Sequence, residues 1–117
     1  MTGYDIYKKA ATRLGDSDSL NGILEDSAKL NIALEAINQI AVDLKLQEIN
    51  SLSDDMTLDK KQTDALCSGV AMLIALSDGN SEKNHIYTGI YNAKRAMVLA
   101  DVSIIEDKLP FSESGDI

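Results

Sequence analysis

Along the second half of the chain, apolar residues recur at steps of four and three. Ile86, Ile90, Ala93, Met97, Ala100 and Ile104 keep that rhythm without interruption, which places them on one stripe of a single helix. Such a stripe needs a surface to lie against. Upstream, Lys60 to Ser77 carries Leu66, Val70, Leu73, Ile74 and Leu76 beside the small residues Ala65, Ser68, Gly69 and Ala71, and predicts another helix. Between the two lies Ser77-Asp78-Gly79-Asn80, a run of turn and cap formers. The pattern predicts a helical hairpin from Lys60 to Leu109 around which the rest of the chain is arranged. Gly69 reads two ways: a point of close approach by another backbone, or a glycine tolerated in a helix at about 1 kcal/mol relative to alanine.

The preceding residues predict two further helices. Thr2 is an N-cap for a short one that passes through Ile6, Ala10 and Leu14 and stops at Gly15. Asp16 to Gly22 is dense in turn formers and predicts a surface loop. A second helix begins between Leu24 and Ser27 and reaches Leu46, with Leu30, Ala33, Leu34, Ile37, Ile40, Ala41 and Leu44 on one face. Its other face, with Lys29, Asn31, Glu35, Asn38, Gln39 and Asp43, reads as solvated. Gln47 to Asp59 breaks the rhythm and predicts an extended connector pinned by Ile49, Leu52, Met56 and Leu58. Part of it could pair as a short strand in an assembly. Asp59 and Gln62 have the spacing of a capping box.

The last helix starts at an Asn80 or Ser81 cap with Glu82 in its first turn and runs to Lys108, about 40 Å at 1.5 Å per residue. Pro110 ends it. The expected fold is all-α: a four-helix bundle-like domain over residues 1–109 with a long C-terminal helix, followed by a short flexible tail over 110–117. Phe111 and Ile117 are the tail's apolar anchors, and docking on a neighbour would order it.

Composition agrees with helices packed on helices. Hydrophobic residues make up 44% of the 117, aromatics only 4%, so the core must come from Leu, Ile, Val, Met and Ala. A net charge of −8 argues against sequence-independent binding to nucleic acid or anionic membrane by the isolated chain. The pairs Lys8-Lys9, Lys60-Lys61 and Lys94-Arg95 are too small to change that. No segment reaches the roughly 20 apolar residues of a membrane span. MTGYDIYKKAA lacks the apolar run of a secretory signal, so assembly inside a cell is expected.

Candidate chemistry is thin. Cys67, the single cysteine, lies among apolar residues and reads as a buried filler. His85 is the single histidine, and with no second His or Cys it cannot seed a zinc site or a histidine triad without relying on carboxylates. Asp16, Asp18, Glu25 and Asp26 lack the spacing of an EF-hand loop and read as a solvated acidic loop. No phosphate-binding glycine loop, Gly-x-Ser-x-Gly or His-Glu-x-x-His occurs. The expectation is a protein that is not an enzyme and uses no cofactor or metal. Asp18-Ser19-Leu20 is similar to the triplet whose serine carries phosphopantetheine in acyl and peptidyl carrier proteins. In those proteins a long helix and loop precede the serine, whereas Ser19 follows one short helix.

In order, the signatures are a first helix closing in Leu14-Gly15, then Ala33-Leu34-Glu35-Ala36-Ile37-Asn38-Gln39-Ile40 ending near Asp43-Leu44, then a polar connector. Ala65-Leu66 and Gly69-Val70-Ala71-Met72-Leu73-Ile74-Ala75-Leu76 follow, then an acidic Gly turn and a long helix through Tyr91-Asn92-Ala93-Lys94-Arg95. Over Tyr4 to Leu109 this chain resembles the small head-to-tail connector (adaptor) proteins of tailed bacteriophages. The resemblance implies a structural virion protein assembled in the bacterial host cytoplasm. Copies would form a ring, on the order of twelve subunits, between the portal and a tail or stopper protein. DNA would pass through without specific binding. Lys94, Arg95, Leu109, Phe111 and Ile117 are the expected subunit or partner contacts, the tail reaching only a short way. A small helical regulatory or protein-interaction module is the alternative.

Overall fold

The computed structural model describes residues 1–15 and 27–107, with side chains through residue 101. The acidic loop with Ser19, and the tail with Leu109, Phe111 and Ile117, lie outside the described residues. The fold is all-α, as the sequence pattern predicts: α1 (Gly3–Arg13), α2 (Ser27–Asp43), α3 (Lys60–Ser77) and α4 (Ser81–Asp107). Among the described residues the only β pairing is one antiparallel bridge between Thr2 and Asp55.

The helix boundaries follow from capping chemistry. Thr2 and Asp5 form a reciprocal box at the start of α1, and Asp59 and Gln62 form another at the start of α3. At the end of α3 the Asn80 N–H donates to the Ala75 carbonyl (2.8 Å) and the Gly79 N–H to Leu76 (3.1 Å), with Gly79 at φ 74°. Asn80 then turns its side chain to the next helix and accepts from the Lys83 N–H at 3.1 Å. One residue thus closes α3 and caps α4, which fixes a tight hairpin. The second helix closes in the same way but three residues earlier than the apolar pattern suggests. Leu46 and Lys45 donate back to Ala41 and Val42, and Lys45 takes φ 60°, where glycine is the usual occupant.

α3 is the central helix, packed against α1, α2 and α4. Ala65 through Ala71 are all buried, a run that requires neighbours on every side. Gly69 resolves as a point of close approach: a Cβ there would sit 2.7 Å from the Ile40 side chain and 2.9 Å from the Tyr91 ring. The connector is pinned as expected by Ile49, Leu52 and Met56, all buried. Its edge pairs with the chain's own N-terminus, Tyr4 N–H to the Leu52 carbonyl (3.0 Å) and Met56 N–H to the Met1 carbonyl (2.7 Å). Asn38, read from sequence as a solvated residue, is half-buried and clamps Ile49 from both sides. Its amide donates to the Ile49 carbonyl at 2.8 Å and accepts from the Ile49 N–H at 2.9 Å. A connector without a ladder needs such side-chain partners for its buried backbone groups.

Two substitutions test these constraints. Gly69→Ala is expected to lower unfolding free energy by about 2 kcal/mol despite alanine's better helix propensity, because Ile40 and Tyr91 must shift. Lys45→Gly is expected to raise it by about 1 kcal/mol by relieving the left-handed backbone, a gain of about 4 °C in melting temperature.

Candidate functional site

The long helix α4 has two faces with different chemistry. Tyr87, Tyr91, Lys94, Val98 and Asp101 repeat at the same four-and-three spacing as the isoleucine stripe, displaced by one residue. It is this second stripe that meets the body of the protein: Tyr91 and Val98 are buried and Tyr87, Lys94 and Asp101 half-buried. The stripe singled out from sequence is the exposed one. The reason is that the tyrosines bring large rings together with hydroxyls that find acceptors, and Lys94 and Arg95 bring alkyl stems with charges that find carboxylates.

The polar groups on the inner face tie α4 to all three other helices. The Tyr87 hydroxyl donates to the Arg13 carbonyl at 2.9 Å, a carbonyl in the last turn of α1. The Asn84 amide donates to the Met72 carbonyl of α3 at 2.9 Å. Asp43 of α2 accepts from the Tyr91 hydroxyl and from Arg95 Nε at 2.7 Å. Asp64 of α3 is held between Lys94 of α4 and Arg13 Nη2 of α1, the latter at 2.6 Å. Arg13 Nη1 also donates to the hydroxyl of the fully buried Ser68 at 2.7 Å. Lys61 pairs with Asp101 at 3.2 Å near the far end of the hairpin.

These contacts set the protonation of the carboxylates. The hydrogen bond from Lys94, opposed by partial burial and reinforced by Arg13, holds the Asp64 carboxyl below its ordinary value of 3.8. Burial pushes Asp43 upward, but the Tyr91 hydroxyl and Arg95 together outweigh it and the net direction is down. Burial and the neighbouring Asp43 push the Tyr91 phenol well up, so it remains a donor throughout the ordinary pH range. Cys67 is fully buried with its thiol pushed up by that burial, which fits the filler role.

The outer face is apolar and uncharged. Ile86, Ile90 and Met97 are 45%, 36% and 54% exposed, with Gly89, Ala93, Ala96 and Ala100 exposed beside them. From residue 86 to residue 100 the only charged side chains are Lys94 and Arg95, and both are paired internally. The other exposed large apolar side chains among the described residues, Met1, Tyr4, Ile32, Val42 and Leu76, lie outside α4.

The residues expected as contacts divide accordingly. Lys94 and Arg95 are turned to Asp64 and Asp43, while Leu109, Phe111 and Ile117 lie outside the described residues. His85 is exposed beside the apolar face. Two basic pairs that are distant in sequence come together, Lys9, Lys60 and Lys61 lining one shallow groove with Arg13 and Asp64. Among the described residues no three of His, Cys, Asp and Glu converge as a metal site requires, and no helix is long and apolar enough to cross a membrane. Asp43, read from sequence as solvated, is half-buried and accepts from Tyr91 and Arg95; Tyr87 and Tyr91 carry a sequence signal, the second four-and-three stripe, whereas Asp43 and Asp64 carry none. Compared with known protein families, curated proteins and solved structures, the chain matches none.

The paired carboxylates predict a pH dependence. Both ionise at lower pH folded than unfolded, so the stability they contribute is complete above the ordinary carboxyl value and lost as pH falls through the lowered folded values. With 38% of the Asp64 side chain exposed, solvent screening limits its contribution, and Asp64→Asn is expected to cost about 1 kcal/mol at neutral pH. Urea melts of both proteins at about pH 7 and about pH 3 should show that difference shrinking in acid, as the pH drops below the ordinary carboxyl value toward the lowered native one.

Proposed function

We propose that this protein is a non-enzymatic structural subunit that acts through protein–protein contact. The setting is the one its sequence resemblance implies: a head-to-tail connector ring between the portal and the tail or stopper of a tailed phage or prophage particle. The observation that carries the reading is the outer face of α4, apolar over four turns and free of unpaired charge. A helix face exposed to water in its working state ordinarily carries charged residues. Within a ring this face would lie against a neighbouring subunit, and Ile90 and Met97 would make the contact while Lys94 and Arg95 stay with their internal partners.

The net charge of −8 also supports the reading, because a ring of acidic subunits repels the phosphates of DNA sliding through it. No cofactor enters this function. Partners are further copies of the chain, the portal, and a tail or stopper protein; the work is done in the virion after assembly in the host cytoplasm.

Native mass spectrometry of the purified chain, alone and with the portal protein encoded in the same genome, tests this directly. The expected result is a closed ring of many copies that appears, or becomes complete, only with the portal. Masses unchanged by the portal at every concentration would overturn the connector role.

A further inference from the structure

The outer face of α4 has a register that fits a second copy of itself. Written as heptads, Ile90, Met97 and position 104 fall at a, and Ile86, Ala93 and Ala100 at d, the spacing of a coiled-coil seam. We propose that two free chains pair through this face as an antiparallel, two-fold symmetric α4–α4 dimer with its axis at position 95. This rests on reading the α4 face as a contact surface and goes beyond the connector role, since an isologous seam closes at two copies.

Two features favour that occupant and that direction. An antiparallel seam sets a positions against d positions, so the axis at 95 puts Ile90 across from Ala100 and Met97 across from Ala93. Each inner layer therefore pairs one large side chain with one alanine, and the layers keep equal thickness. A parallel pair would instead stack Ile90 on Ile90 and alanine on alanine, giving alternately thick and thin layers. The flanking positions 89, 96 and 103 are Gly, Ala and Ser, small enough to let the two backbones approach.

The uncharged face also suits two acidic chains. The charges that flank the seam are paired within each copy, Lys94 with Asp64 and Asp101 with Lys61, and salt screens the repulsion between two molecules of net charge −8. A seam from position 86 to position 104 is roughly 27 Å long. That length buries on the order of 1,200 Å², the lower end of specific interfaces, and sets an expected dissociation constant on the order of 10 μM.

Sedimentation velocity on the full chain from about 1 to 500 μM should show a monomer–dimer equilibrium that ends at the dimer. Ala93→Met, which sets methionine against Met97 of the other copy, should weaken it at least about tenfold. Met97→Glu should abolish it. Both positions are exposed, so circular dichroism and melting temperature should stay close to those of the parent chain. The double swap of Ala93→Met with Met97→Ala re-creates one large and one small residue in the same layer, and should restore affinity to within about threefold. Mild oxidation of Ala96→Cys should give a disulfide-linked dimer, Cys67 being fully buried, whereas Gly89→Cys alone should not. A monomer throughout the range, assembly beyond two copies, failure of the swap to rescue, or efficient Gly89→Cys crosslinking would each overturn the dimer. Portal-dependent ring formation is scored separately, so the dimer can fail while the connector stands, and the reverse.

Discussion

Seven consecutive residues of α3, Ala65 to Ala71, are buried, and no helix reaches that state unless neighbours close on it from every side. The room for three neighbours comes from small side chains, since Ala65, Ser68, Gly69, Ala71 and Ala75 are all buried on a helix that α1, α2 and α4 all touch. At Gly69 the approach is so close that Ile40 and Tyr91 occupy the space a Cβ would take. Everything else is placed by this crowding. The hairpin turn at Gly79-Asn80 brings α4 back along α3, the Tyr91 ring seats over Gly69, and that seat fixes which face of α4 points inward. An aromatic over a glycine is an efficient way for a chain with few aromatics to fill its centre.

Once Tyr91 is seated, the polar contacts follow from helix geometry. Residues 87, 91, 94, 98 and 101 share the inward face, so Lys94 arrives at Asp64 and Asp101 at Lys61, while Arg95, on the flank toward α2, meets Asp43 together with the Tyr91 hydroxyl. Asp64 in turn gathers Arg13 from α1, so one carboxylate on the central helix links the first and last helices of the chain. These pairs are partly exposed, and their value lies more in fixing the rotation and register of α4 than in net stability.

What the sequence reveals and what it conceals divide along the same line. Boundaries are legible because capping is local: Thr2 with Asp5, Asp59 with Gln62, and Gly79 ahead of Asn80 act within a few residues of themselves. The end of α2 is the exception, since Lys45 adopts a backbone conformation that composition would assign to glycine. The inward face of α4 is not legible by hydrophobicity, because two stripes with the same period run side by side and the more apolar one stays outside. Choosing between them requires knowing that Gly69 opposes Tyr91 and that Asp43 and Asp64 await Arg95 and Lys94, all facts about partners more than 20 residues away in sequence. Asn38 is hidden for the same reason: its partner, Ile49, lies across the turn that ends α2.

The inversion of α4 has a functional consequence. If the apolar stripe had been the core face, the exposed side would carry Tyr87, Lys94 and Asp101, an ordinary solvated surface with nothing to present to a partner. With the tyrosine stripe inside, the chain stays folded through polar and aromatic contacts that are complete within one copy, and the aliphatic stripe remains free for association. Stability thereby rests on one face of the helix, and the proposed association would use the other. A chain built this way can fold as a single copy, and either proposed assembly would cover its exposed face. A two-fold pair covers it and stops at two copies, whereas a ring needs the same seam to meet a different surface on the next subunit. Since one face cannot do both at once, ring growth would require the pair to open. In the proposed connector, a portal that offered each subunit a binding site would supply the free energy for that opening and would confine assembly to the portal.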